Sequence, residues 1–233
     1  MRLLLTSCVA LFLFVGATPP DARAQTDDVE AFIERLMEAY GGREALAGVQ
    51  GYRLEASMHA YLHNEDADVV RDVDLGERLE VVIQYPDVAE VRVLEGEAGW
   101  RGRSGEDLEP VEEPLLGAMV LQATRANMPW VLDQMKDRAR LFFLEGHKVQ
   151  MGVEVQVKEG LIFRAYVDPE TFLIVQAQSV VQAGAMQIEF ETKYSDFREV
   201  EGLFFPFHEE NYASGSHTAT TTVQQVMLKP KAE

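Results

Sequence analysis

Met186-Gln-Ile-Glu-Phe-Glu-Thr-Lys-Tyr194 is the stretch whose reading decides the fold. Met186, Ile188, Phe190, Thr192 and Tyr194 fall on one side of an extended chain, and Gln187, Glu189, Glu191 and Lys193 on the other, the period of two expected of a strand buried on one face. Working backwards, Leu161–Val167 and Phe172–Val181 repeat the pattern around a turn at Asp168-Pro169-Glu170, so consecutive antiparallel strands are predicted. Tyr52, Leu54, Ala56, Met58, Ala60 and Leu62 alternate with Arg53 through His63, a second long half-buried strand. Shorter strands are predicted at Val69–Leu75, Arg78–Gln84 and Val88–Leu94, after the Gly96–Trp100 turn, at Arg140–Leu144 and His147–Lys158, and at Leu203–Tyr212 and Thr218–Leu228 around a Ser214-Gly215-Ser216 turn. Many short strands at regular spacing point to a meander or barrel.

Two regions depart from this period. Val29, Phe32, Ile33, Leu36, Met37 and Tyr40 recur at helical spacing, opened by Thr26 or Asp27 as a cap with Glu30 and closed by Gly41-Gly42, and a short helical piece follows over Arg43–Ala47. In mid-chain, Leu115, Leu116, Met119, Val120 and Ala123 form a stripe that Pro129 interrupts and Trp130, Val131, Leu132 and Met135 resume. A mainly β chain is thus expected to carry one covering helix and one helical interruption over Pro114–Arg138.

Residues 1–24 have the anatomy of a signal peptide: Arg2, an apolar run over Leu3–Ala17, and Ala22-Arg23-Ala24 as a cleavage site. Leu5-Thr6-Ser7-Cys8 has the form of a lipoprotein box, but seven residues precede the cysteine and most of the apolar run follows it, so Cys8 is assigned to the leader. Cleavage after Ala24 predicts an exported, cysteine-free product over residues 25–233, forming one domain and excluding disulfides and thiolate chemistry. No other stretch approaches the apolar length of a membrane helix. The whole chain carries 21 basic against 39 acidic side chains, and without Arg2, Arg23 and Asp21 these become 19 and 38. Such a balance repels nucleic acid and anionic headgroups, and is what a high-salt habitat or simple solubility would also select.

No constellation of catalytic type is found. His59 and His63 are four residues apart on one predicted strand, too far for a shared metal, and His147, His208 and His217 lack partners at ligand spacing. Ser214 and Ser216 near His217 belong to a hairpin turn rather than a nucleophile elbow. Glu65-Asp66 with Asp68, and Glu106-Asp107 with Glu109, are read as solvated loops, since they lack the glycine and spacing of a calcium loop. Glu189 and Glu191, the carboxylates an enzyme would use, lie on the wet strand face without a paired acid. No enzyme, metal or cofactor is therefore expected. The methionines and aromatics, Met58, Trp100, Met119, Met128, Trp130, Phe163 and Phe190, admit two readings: an ordinary packed core, the default for such stripes, or the lining of a cavity for ligands of variable shape.

The order of elements, Gly96-x-x-x-Trp100, Tyr166-Val-Asp-Pro-Glu-Thr171, Tyr194–Gly202 and Phe205-Pro-Phe207 resemble the LolA/LolB family of periplasmic lipoprotein carriers and receptors and the exported proteins called outer-membrane lipoprotein-sorting proteins. The resemblance implies an incomplete antiparallel β-barrel with an N-terminal helix and a helical lid, and a monomer that holds lipoprotein acyl chains or other lipids. It implies membrane-bound export and receptor proteins as partners, and a cavity lined by Leu54, Met58, Val91, Trp100, Leu116, Met119, Val120, Met128, Trp130, Phe163 and Phe190. The same fold would also serve an envelope lipid sensor or protein-interaction module. Tyr85 stands before Pro86 where the carrier has a lid-latching arginine.

Overall fold

The computed structural model describes residues 22–144, 150–183 and 185–231. Most of the leader expected over residues 1–24 lies outside them, as does His147. Helix α1 (Ala22–Ala39) and the short α2 (Arg43–Ala47) precede six strands, β1 (Val49–Ala60), β2 (Glu65–Asp74), β3 (Arg78–Gln84), β4 (Ala89–Glu95), β5 (Ala98–Arg103) and the two-residue β6 (Glu109–Pro110). Helices α3 (Leu115–Ala126) and α4 (Trp130–Gln134) and a 3-10 turn over Lys136–Arg138 follow. The chain then returns through β7 (Ala139–Leu144), β8 (Gln150–Lys158), β9 (Leu161–Val167), β10 (Ile174–Ala183), β11 (Met186–Val200), β12 (Leu203–Ala213) and β13 (Ser216–Pro230).

Among the described residues, thirteen strands form one antiparallel sheet in the order β6-β5-β4-β3-β2-β1-β13-β12-β11-β10-β9-β8-β7. The first and last strands pair at its centre, from Val49 opposite Pro230 to Ala60 opposite Ala219. The edges are β6 and β7, and the chain between them is the α3–α4 segment. In a flat sheet β4 and β10 would stand roughly 34 Å apart, at about 4.8 Å per neighbour. Yet α3 touches both. The sheet is therefore strongly curled, with α3 spanning its hollow: an incomplete barrel with a helical cover.

Burial follows the alternation in the sequence. Leu54, Ala56 and Ala60 on β1, Val69 and Val73 on β2, Leu79, Val81 and Ile83 on β3, and Leu203, Phe205 and Phe207 on β12 are all buried. The stripe of α1, continued to Tyr40, is buried in the same core, with the Phe32 ring 4.9 Å from that of Phe172. Phe172 and Tyr194 belong to the same core, while Tyr166 is buried on the other face of β9 against Phe142.

Several boundaries differ from expectation. α1 begins at Ala22, ahead of the expected cap, because Ala-Arg-Ala-Gln is itself helix-favouring sequence. β1 stops at Ala60, and Tyr61–Asn64 form the connection to β2, so Leu62 is 75% exposed rather than buried. β2 begins at Glu65, which makes the Glu65–Asp68 cluster part of a strand and not a loop: pairing of Ala60 with Glu65 and His59 with Asp66 outweighs the low strand preference of acidic residues. β11 continues to Val200, well past Tyr194.

Gly51 illustrates how closely the seam is packed. A Cβ added there would collide with the carbonyl oxygen of Val73 on β2 and meet the Lys229 side chain of β13 at 3.1 Å. Gly51→Ala is expected to cost about 1–3 kcal/mol, the range for overpacking, read as a lower urea midpoint with an unchanged slope. A midpoint equal to wild type would show that the strands have room to part.

Candidate ligand-binding cavity

A cavity of about 660 Å³ lies between α3 and the hollow of the sheet. Its size falls within the range of about 300–1,000 Å³ usual for small-molecule sites. One wall comes from β1–β5 (Met58, Val69, Arg71, Val81, Ile83, Val91), the other from β10–β13 (Ser179, Phe190, Asn211, Thr221), and the roof from α3. The roof is one helical face, Leu115, Ala118, Met119, Gln122 and Arg125, residues three or four apart. It is apolar at its first turns and polar at its last.

Of the eleven residues expected to line a cavity, Met58, Val91, Met119 and Phe190 line this one. Leu54 and Met128 line a second space of about 40 Å³, beneath the C-terminal end of α3. The other five lie elsewhere. Phe163 is fully buried in the main core, and Leu116 and Val120 pack with Leu94, Val111 and Met119 in a small cluster between α3 and β4–β5. Trp130 packs against the main core and donates its indole N–H to the Leu46 carbonyl at 2.9 Å, and Trp100 pairs with Val93 and Pro110 on strand β5. Hydrophobic periodicity assigns a residue to the inward face, but depth beneath the helix depends on sheet curvature. Tyr85 is buried at the end of β3, its ring 6.1 Å from His63.

The charged lining is what the pattern of apolar residues did not reveal. Arg71, Arg92, Arg101, Arg103 and Arg125 all reach the cavity, together with Glu90, Glu106, Asp107, Glu109 and Glu191. Most of these stand at the β4–β6 rim, where Arg92 pairs with Glu90 at 3.1 Å. Arg71 is different. It sits between Val69 and Val73 on the inward face of β2, and its guanidinium makes two 3.1 Å hydrogen bonds to the Glu209 carboxylate of β12. Glu209 is 3% exposed, in the inward series Leu203, Phe205, Phe207. The signal was available in sequence as a charged residue at an inward position of an alternating strand.

Electrostatics around this pair are those of a buried, compensated site. Burial pushes the Glu209 carboxyl up, but the Arg71 charge and hydrogen bonds outweigh it and hold the group below its ordinary value. Burial likewise works against the charge on Arg71, and Glu209 restores it and raises the group overall. Tyr52, beside them, is pushed up to about 12 by burial, and its hydroxyl donates to the Ala126 carbonyl at 2.7 Å. Tyr40 and Tyr194 are also raised by burial. Arg125 donates to the Thr192 hydroxyl at 2.8 Å, and Thr192 in turn donates to Asn211 Oδ1 at 2.8 Å.

The roof is tied down at one end. Beyond Tyr52 and Arg125, Asn127 Oδ1 accepts the Gly76 N–H at 2.8 Å, Trp130 bonds Leu46, and Arg43 makes two 3.0 Å hydrogen bonds to Asp133. The first two turns of α3 make no side-chain hydrogen bond or ion pair to the sheet among the described residues. They are held there by apolar contacts, the Leu94–Val111–Met119 cluster on one side and Gly117 against Leu161 and Val181 with Leu121 in the main core on the other.

This architecture of a curled open sheet roofed by the segment joining its edges has counterparts among solved structures. A LolA superfamily protein from Nitrosomonas europaea is 12% identical, with a TM-score of 0.57 over 86% of this chain and 93% of that one. The fold is LolA-like. A putative outer membrane lipoprotein-sorting protein domain from Vibrio parahaemolyticus aligns over 88% of this chain and 95% of that one, at TM-score 0.53 and 7% identity. A DUF1329 family protein from Desulfovibrio piger aligns over 86% and 93%, at TM-score 0.55 and 10% identity. No family model matches the sequence, and neither does any curated protein. The LolA-like fold thus accounts for the sheet and its roof, while at these identities the side chains of the cavity are this chain's own.

Removing one partner of the buried pair leaves the other charge uncompensated, so Arg71→Met is expected to cost about 3–5 kcal/mol, and Arg71→Met with Glu209→Leu much less. Urea unfolding of the two variants checks this; a single-variant cost below about 1 kcal/mol would mean that water reaches Glu209. The sign with pH follows from the lowered native carboxyl. Its stabilisation is fully present above the unfolded-chain value of about 4.3 and is lost as pH falls through the lower native value. That acid-dependent loss should be absent from the double variant.

Proposed function

We propose that this protein is a periplasmic carrier that takes the hydrocarbon chain of a lipid or acylated lipoprotein into the cavity beneath α3 and releases it at the outer membrane. The observation that carries the proposal is the roofed cavity itself, with an apolar floor from Met58, Val69, Val81, Ile83 and Phe190 opposite Leu115, Ala118 and Met119. Burying about twelve methylenes at roughly 0.8 kcal/mol each yields about 10 kcal/mol, comparable to the cost of association. No covalent chemistry is required. The lipoprotein-sorting description of the Vibrio parahaemolyticus structure and the LolA designation of the Nitrosomonas europaea one support the same reading, as does the signal-peptide anatomy of residues 1–24. The fold then functions as a container and not as an enzyme. The roof opens at its Leu115 end, where apolar packing alone holds it, on the small cluster and, at Gly117, on Leu161 and Val181.

Extraction of the protein purified from its own cells, followed by mass spectrometry, is expected to yield lipid in stoichiometric amount. Ala118→Trp places an indole in the cavity and is expected to reduce bound lipid at least tenfold with the melting temperature kept or raised. Met119→Asp is expected to lose lipid with less change in its circular dichroism than in lipid content. Lipid content unchanged in Ala118→Trp, or no lipid in the wild type and no thermal stabilisation by acylated peptides, would remove the carrier reading.

A further inference from the structure

The inner end of the cavity is cationic although the chain carries a net charge of −18. Two guanidinium groups, Arg71 and Arg125, and one carboxylate, Glu209, meet there, and both oxygens of Glu209 are taken by Arg71. Arg125 has no carboxylate within ion-pair distance among the described residues; its partner in the protein is the neutral hydroxyl of Thr192. Arg125 is partly buried in the cavity lining, and a cation drawn part-way out of water gains most from an anionic partner. Around it the donors converge. Thr192 donates to Asn211 Oδ1, which fixes that amide by its oxygen and leaves its N–H groups for the cavity, where Asn211, Gln122 and Arg125 all stand in the lining. The nearest acid of the lining on the same strand as Thr192, Glu191, is engaged by Lys193 at 3.4 Å and by Gln178.

We infer that the cavity is built for an amphiphile with a single anionic head, a carboxylate or phosphate seated on Arg125 with Asn211 and Gln122 beside it, and a hydrocarbon tail running along α3 toward Leu115. This rests on the carrier reading and specifies its cargo. The roof residues from Arg125 to Leu115 span about 15 Å of helix, polar at one end and apolar at the other, which matches a head-and-tail molecule better than a purely apolar one. An acyl chain linked through a neutral ester or amide would leave Arg125 uncompensated.

The test is displacement of the neutral probe 1-N-phenylnaphthylamine from the delipidated protein by palmitate, hexadecyl phosphate and methyl palmitate. Charge-assisted hydrogen bonds predict that the two anions bind at least about tenfold tighter than the ester to the wild type. Arg125→Gln should bring all three within about twofold by lowering anion affinity alone, and Arg125→Lys should keep part of the preference. Asn211→Asp retains an acceptor for Thr192 and gives Arg125 an internal partner. It should fold as well as the wild type and lose the preference too. Equal binding of acid and ester by the wild type would overturn the head-group site and leave the carrier reading intact, whereas no binding of any of the three would overturn both. Inorganic phosphate raising the melting temperature as much as hexadecyl phosphate would also overturn the inference, by showing that a free anion is the ligand.

Discussion

Pairing of the first strand with the last holds the rest together. Because β1 lies against β13 over its whole length, the two meanders become one sheet whose free edges are consecutive in the chain, separated only by the α3–α4 segment. That segment must pass from one edge to the other. Once the sheet curls, the shortest covered route crosses the hollow, where its apolar face finds both halves at once. The cavity is a by-product of this topology: a helix laid across a curved surface touches it along its flanks and leaves space beneath.

What fills the floor of that space sets it apart from a plain apolar core. A polar band of Arg71, Glu209, Asn211, Thr192 and Thr221 crosses inward positions of β2 and β11–β13, between the apolar floor beneath α3 and the core under α1. Every described side-chain polar atom that is fully buried has a hydrogen-bond partner, so the band does not weaken the fold through unmet donors. Outer surface and inner band have opposite tendencies: an acidic exterior that repels anionic surfaces, and an inner band in which Arg71 and Arg125 outnumber the one carboxylate, Glu209.

The strands were legible because one-sided burial writes a period of two into the sequence, and Arg78–Gln84 and the Ser214-Gly215 turn lie where turn chemistry and alternation put them. The helical interruption was legible from its stripe and from Pro129. Strand ends were less so. The tip after Ala60 keeps alternating in sequence through His63, while the backbone has already turned. Of the cavity, the methionines at 58 and 119 and Phe190 could be read as inward-facing, but not Trp130 or Phe163 as closed core, since depth is set by curvature. Arg71 and Arg125 escaped notice for a simpler reason: a search for apolar faces passes over charges, and their partners Glu209 and Thr192 are remote in sequence, brought near only by strand order.

The uneven fastening of α3 has a mechanical consequence. The helix is fastened by hydrogen bonds over Arg125–Asp133 and by apolar contacts alone at Leu116, Gly117 and Met119, so its first turns are those that can part from the sheet without breaking a side-chain hydrogen bond. In the proposed carrier such a parting would widen the mouth while the guanidinium of Arg125 stays on Thr192. Entry and escape of a tail would then be decoupled from the grip on whatever lies deepest.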